Sequence, residues 1–150
     1  MRIIAGNFGG RPLKTLEGKT TRPTSDKVRG AIYSMIGPFF AGGRVLDLYA
    51  GSGGLSIEAI SRGMDQAVLV ERDRRAQAVI EANIAMTKAQ DQFRLIKRDA
   101  KQVLPTLTGQ FDLVLLDPPY AKEEIVKTIG KLQEHDLLSP EVMIVCETDK

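Results

Sequence analysis

From position 44 onward, short apolar runs alternate with longer stretches whose apolar residues recur every three or four positions. The runs predict strands over 44–49, 67–71, 93–97, 111–117 and 142–147. The longer stretches predict helices over 54–62, 73–88, near 101–107 and over 123–134. Gly63 is placed to end the first of these helices. Five strand–helix units in this order imply an α/β fold, a doubly wound, mostly parallel sheet with right-handed crossovers. The segment before it differs. Residues 2–5 and 11–16 read as two short strands around Gly6, Gly9 and Gly10, an N-terminal hairpin arm. Thr21-Arg22-Pro23-Thr24 reads as a loop. Thr24 or Ser25 can cap a helix over 25–36 that carries Val28, Ala31, Ile32, Met35 and Ile36 on one face, and Gly37-Pro38 ends it. One domain is expected, with residues 1–24 as arm and 25–150 as core.

Composition changes this picture little. The chain has 150 residues, 43% hydrophobic and 27% charged, enough for one domain with a sizeable core. The formal charge of +2 demands no nucleic-acid partner, but its distribution is uneven. Residues 1–30 hold seven Lys and Arg against Glu17 and Asp26. That bias suits a phosphate-contacting arm, and charge alone equally suits a solvated surface. Cys146 is the only cysteine, which excludes an internal disulfide, and it is expected to be a small buried hydrophobe. No apolar run approaches the roughly 20 residues of a membrane span, the N-terminus lacks a signal-peptide core, and a cytoplasmic protein is expected. One His, one Cys and scattered acids form no metal-ligand set, so no metal is expected.

The chemistry gathers where the predicted strands end, which in such sheets is the edge that binds ligands. The first strand runs through Asp47, Leu48 and Tyr49 into the loop Ala50-Gly51-Ser52-Gly53-Gly54. Gly51 and Gly53 permit unusual φ and close backbone approach, and the next helix offers free N–H groups. A dinucleotide loop would need Gly or Ala at position 56, where Ser stands, and Asp47 would repel a pyrophosphate. The same acid suits the ammonium end of an amino-acid ligand. Glu71 follows Asp47 by 24 residues, a spacing that suits acceptance from two ribose hydroxyls, with Arg72 beside it. Asp99 can accept from an adenine amine while Ala100 offers its N–H, and a helix N-cap is an equally good reading of Asp99. A ligand with a cationic amino acid, a ribose and an adenine satisfies all three acids, and S-adenosylmethionine is such a ligand. The fourth strand ends in Asp117-Pro118-Pro119-Tyr120. Neither proline can donate to a ladder, so the strand stops there. A carboxylate, rigid carbonyls and a flat ring suit a planar amine: two acceptors for its N–H groups and a surface for its base.

These residues resemble the class I S-adenosylmethionine-dependent amino-methyltransferases, with their Rossmann-like sheet. Within them the chain is similar to the bacterial 16S ribosomal RNA guanine-N2 methyltransferase family, the RsmD type. The likeness runs through Arg2-Ile3-Ile4-Ala5-Gly6, Gly9-Gly10-Arg11, residues 21–29, residues 46–55, Val70-Glu71-Arg72 and residues 117–120. It implies methyl transfer to the exocyclic amine of a guanine in ribosomal RNA, on RNA or an assembling small subunit. The alternatives are a DNA adenine or protein glutamine amino-methyltransferase and a non-catalytic RNA-binding assembly factor, and a monomer is expected. Asp47, Leu48, Tyr49, Gly51, Ser52, Gly53, Glu71, Arg72, Asp99 and Ala100 would hold the cofactor. Asp117 and the Pro118 carbonyl would accept the amine N–H bonds, with Pro119 and Tyr120 completing the catalytic tetrad and Tyr120 stacking on the base. Arg11, Arg22, Lys27 and Arg29 are the candidates for RNA phosphate contacts. The resemblance also implies a closing hairpin of strands six and seven. The sequence stops at Thr148-Asp149-Lys150, so a fragment is expected.

Overall fold

A computed structural model of the chain describes residues 1–16, 25–117 and 122–146. The expected loop with Arg22, the tetrad members Pro118, Pro119 and Tyr120, and the end of the fifth strand at Glu147 lie outside the described residues. Among the described residues five strands form one sheet: β1 (Arg44–Asp47), β2 (Gln66–Val70), β3 (Phe93–Ile96), β4 (Phe111–Leu116) and β5 (Leu138–Cys146). Their order is β3-β2-β1-β4-β5 and every pairing is parallel. Among the described residues five α-helices accompany them: α1 (Asp26–Ile36), α2 (Gly54–Ser61), α3 (Arg74–Thr87), α4 (Ala100–Val103) and α5 (Lys122–Glu134). The doubly wound parallel sheet read from the alternating pattern is therefore present.

Alternating side chains divide the core into two layers. Val45, Ala67, Leu69, Leu113 and Leu115 face Tyr33 of α1, Ile57 and Ile60 of α2, Ile80 and Ile84 of α3, and Ile3, Phe8 and Leu13 of the arm. Leu46, Leu48, Val68, Val70, Val114 and Leu116 face Val103 of α4, Ile125 and Leu132 of α5, and the connecting Leu104 and Leu107. Phe111 joins the second layer although Leu113 belongs to the first. The irregular register between Phe111 and Leu113 in the β4–β5 pairing accounts for this.

Helix ends follow local chemistry. Ser25 caps α1 by accepting from the Val28 N–H, Asp73 caps α3 through the Ala76 N–H, and Asp99 caps α4 through the Lys101 N–H. The connection after α2 needs Gly63 at φ +121°, where a Cβ would lie 2.0 Å from the Phe40 carbonyl oxygen.

Three expectations change. The buried face of α1 is Arg29 and Tyr33, while Val28 and Met35 are 47% and 84% exposed. Ile36 of the predicted face does pack against the first core layer, but the fully buried positions carry polar groups: Arg29 pairs with buried Glu58, and the Tyr33 hydroxyl donates to the Leu55 carbonyl at 2.6 Å. Burial pushes the Tyr33 phenol well above its ordinary pKa, and the nearby Asp47 and Glu58 charges add to that, so it stays a donor. Cys146 is exposed at the end of β5, which has a described strand neighbour on one side only. The arm is a hairpin with a single antiparallel bridge, Arg2 to Pro12, rather than two full strands.

Helix α2 buries Ser56, Glu58 and Ser61, each at most 2% exposed. Glu58 is the hub. Its carboxylate accepts from the Ile4 N–H at 2.9 Å, the Ala5 N–H at 3.1 Å, Arg29 Nε at 3.3 Å and Arg62 Nε at 2.7 Å. Arg29 also donates to the Arg2 carbonyl and to Asp26. Ser61 continues the seam, donating to the Ala5 carbonyl at 2.6 Å and accepting from the Phe8 N–H at 2.9 Å. Gly6, at φ +89°, lies so close that a Cβ would sit 1.9 Å from the Ser61 carbonyl oxygen.

Two outcomes follow from this seam. Glu58→Ala leaves two buried guanidinium groups and two arm N–H groups without their acceptor, so urea unfolding should show a loss of about 3–5 kcal/mol. Desolvation alone would raise the Asp26 carboxyl, but the Arg2 N–H and Arg29 guanidinium outweigh it and hold its pKa below the ordinary carboxylate value. A lowered folded-state pKa stabilises above the unfolded value near 4 and loses that contribution as pH falls through the folded value. Asp26→Asn should therefore flatten the stability–pH curve below about pH 4, measured by urea midpoints across that range.

Candidate functional site

The strand order places β1 beside β4, with α2 leaving β1 on one face and α4 and α5 covering the other. This is the switch point of a doubly wound sheet, where the carboxyl edge opens into a crevice. A pocket there is lined by Asp47, Tyr49, Ala50, Gly51, Ser52, Gly54, Leu55 and Asp117, with Met1 and Arg29 at its side.

The loop from β1 to α2 forms the floor. Asp47 ends β1 at 3% exposure and accepts from the Ser56 hydroxyl at 2.7 Å, which ties the strand end to the first turn of α2. Gly51 and Gly53 sit at φ +60° and +82°. Their roles differ. A Cβ on Gly53 would meet Leu69 at 3.3 Å, so its bareness serves packing of the loop against β2. A Cβ on Gly51 would meet nothing within 4 Å and would project into open space beside the pocket.

Glu71, just past β2, reaches back to this loop. One carboxylate oxygen accepts from the Gly51 N–H at 2.8 Å and the other from the Asp73 N–H at 3.0 Å. Two such bonds use half of a carboxylate's acceptor capacity, so it can still accept from hydroxyls of a ligand. Gln77 of α3 donates to the Glu71 carbonyl at 2.9 Å and fixes this turn.

The remaining candidates divide. The Leu48 side chain is 1% exposed and packs into the second core layer, so only its backbone faces the loop. Asp99 is the N-cap of α4, accepting from the Lys101 N–H at 3.0 Å, with Ala100 buried behind it. Its other oxygen lies 3.5 Å from Arg72, an exposed pair that joins the ends of β2 and β3. Asp117 follows β4 directly, is exposed, and lines the same pocket as Asp47. Of the four basic residues expected to touch phosphate, Lys27 is exposed on α1. Arg11 is half-buried, donating to the Thr87 carbonyl at 3.2 Å and lying 5.2 Å over the Phe8 ring. Arg29 is fully buried in the Glu58 seam, and its assignment to a phosphate surface is corrected.

A polar residue that strand-end reasoning passed over also belongs here. Asn83 of α3, 1% exposed, donates to the Ser52 carbonyl at 2.9 Å. Its signal in the sequence is an amide on the same helix face as Ala76, Ile80 and Ile84.

A Rossmann-like sheet with a glycine loop, a strand-end acid on each side of it and an acid at the β1–β4 crevice defines a class I methyltransferase. Comparison with known proteins narrows the class. The family model described as "Conserved hypothetical protein 95" matches residues 1–150. The chain is 39% identical to the putative rRNA methyltransferase YlbH of Bacillus subtilis, over 100% of the chain and 83% of that protein. It is 32% identical to ribosomal RNA small subunit methyltransferase D of Escherichia coli, over 99% of the chain and 75% of the relative. The solved structure of the putative methyltransferase yhhF from Escherichia coli superposes with a TM-score of 0.86 at 33% identity, covering 97% of this chain and 79% of that one. The chain belongs to this family, the RsmD-type methyltransferases.

The Glu71 tie to the loop is directly testable. Glu71→Gln replaces one acceptor oxygen with a donor beside the N–H groups of Gly51 and Asp73. Hydrogen exchange at the Gly51 amide should accelerate by about tenfold, matching loss of roughly 1.4 kcal/mol of protection.

Proposed function

We propose that the protein transfers a methyl group from S-adenosylmethionine to the exocyclic N2 amine of a guanine in 16S ribosomal RNA. The observation that carries this reading is the convergence of Asp47, the glycine loop and Asp117 on one crevice at the carboxyl edge. The relatives named as rRNA methyltransferases support the RNA as substrate.

The donor set fits the cofactor's three parts. The open space beside Gly51 leaves room for a ligand against the loop backbone. Asp47 offers negative charge for an ammonium group, by direct contact or through water. Glu71 has acceptor capacity for ribose hydroxyls, with Tyr49, Ser52 and Gly53 shaping the loop around it. Asp99 and the Ala100 N–H, with Arg72 beside them, offer the acceptor and donor an adenine edge needs. When bound, S-adenosylmethionine would supply a methyl group on a sulfonium: a neutral amine takes it as the N–C bond forms and the S–C bond breaks. The electron pair stays on sulfur in S-adenosylhomocysteine, and the amine's surplus proton passes to Asp117 or water.

The chain's own work is positioning and electrostatics. Asp117 accepts an N–H bond from the target amine, which raises electron density on the nitrogen and turns its lone pair away from the carboxylate. The same carboxylate stabilises the positive charge that grows on nitrogen during transfer. The Pro118 carbonyl, next in sequence, is the second acceptor in this proposal, Pro119 completes the tetrad, and Tyr120 stacks on the base. A guanine in a helix has to leave its stack to reach the crevice. Lys27, Arg11 and Arg22 supply cations for the flanking phosphates. The protein would act in the cytoplasm as a monomer, on free ribosomal RNA or on an assembling small subunit.

The test is labelled methyl transfer into 16S rRNA followed by nucleoside analysis. The expected product is N2-methylguanosine, with label absent from DNA and protein. Asp117→Ala should lower the rate by at least a thousandfold while S-adenosylhomocysteine binds within about fivefold of the unchanged protein. Full activity in that variant, or label in another base, overturns the assignment.

A further inference from the structure

Asn83 uses its whole carboxamide. Its oxygen accepts from the Lys14 N–H at 2.8 Å, and its nitrogen donates to the Lys14 carbonyl at 3.0 Å and to the Ser52 carbonyl at 2.9 Å. An asparagine amide has two N–H donors and one oxygen. An N–H partner on one side and carbonyl partners on the other leave only one orientation of the group. The residue is 1% exposed, so water does not replace these partners when one is lost.

The two segments it joins are far apart in sequence and distinct in kind. Lys14 belongs to the arm, just beyond the Arg2–Pro12 bridge, and the two bonds to its backbone N–H and carbonyl continue the hairpin with a side chain in place of a strand. Ser52 sits between the two positive-φ glycines of the loop. The peptide linking Ser52 to Gly53 is held on both sides, its carbonyl by Asn83 and its N–H by the Ala50 carbonyl at 2.8 Å. Glu71 holds the neighbouring Gly51 N–H. Asn83 is thus the point where arm order and loop geometry share one rigid group.

We propose that Asn83 is a positioning residue that couples the N-terminal arm to the cofactor loop: a ligand on the loop orders residues 11–16, and an ordered arm tightens the loop's grip. The coupling is reciprocal because binding free energies on two sites of one molecule are linked. Its consequence concerns the order of events on RNA. The arm carries Arg2, Arg11 and Lys14, so a cofactor-loaded molecule presents a more ordered basic hairpin to a phosphate backbone than an empty one. This inference rests on the reading of the loop as a binding site for S-adenosylmethionine.

The experiment measures two quantities in the whole chain: S-adenosylhomocysteine affinity by calorimetry, and exchange of the Lys14 amide with and without that ligand. In the unchanged protein the ligand should slow Lys14 exchange several-fold. In Asn83→Ala the dissociation constant should rise on the order of tenfold, and the slowing at Lys14 should vanish. Lys14→Pro tests the same link from the arm, because it removes the N–H that Asn83 accepts while leaving α3 and the pocket intact. It should weaken ligand binding by about three- to tenfold, and it carries the test if Asn83→Ala does not fold. Failure of the unchanged protein to bind the ligand overturns the cofactor reading and this inference with it. Binding by the unchanged protein that stays within twofold in the folded variants, or Lys14 exchange indifferent to ligand, overturns the coupling alone.

Discussion

A carboxylate with no exposed surface needs donors on every side, and Glu58 organises the molecule around that need. Burying an ion costs several kcal/mol unless charge and hydrogen bonds replace its water. The replacements come from three places: the arm through Ile4 and Ala5, α1 through Arg29, and α2 itself through Arg62. None of these satisfies Glu58 alone, so the arm, the first helix and the sheet layer under them are fixed together. Such a seam is weak evidence for extra stability, since a well-packed apolar cluster could do as well. What it supplies is placement. It sets the arm over the first turns of α2, beside the loop that leaves β1, and brings Met1 and Arg29 to the side of the pocket.

Helix α2 thereby serves two purposes. Its first turn holds Asp47 through Ser56, and its second turn holds the arm through Glu58 and Ser61. The parallel sheet does the rest. All five strands end at one edge, so residues far apart in sequence meet without any long excursion of the chain. Asp47 and Asp117 are separated by 70 positions and line one crevice because β1 and β4 are neighbours.

Much of this could be read from residues. From position 25 onward the expected strands and helices lie within four residues of the observed bounds, because apolar periodicity, Asp and Ser caps and glycine stops agree; the arm, expected as two strands, is the exception. The glycine loop and the strand-end acids were legible for the same reason: chemistry at strand ends follows from topology. What the pattern hid is the buried polar seam. An arginine in a basic segment looks like a phosphate contact, and Arg29 reads that way until its partner is known. The partner, Glu58, lies 29 positions away in a helix that is apolar apart from it and its serines. A charge inside an apolar helix and an amide at a core position, Asn83, are the two signals that a pairing-based reading would have caught. Neither reveals its partner by spacing, because the contacts cross between elements.

The proposed chemistry depends on where the cofactor binds. Titrating S-adenosylhomocysteine into isotopically labelled protein and following backbone amide shifts tests this directly. The predicted shifts concentrate on residues 47–54, on Glu71 to Asp73, on Asp99 and Ala100, and on Asp117. Shifts confined to another face of the sheet, or none at millimolar ligand in a folded sample, would contradict it.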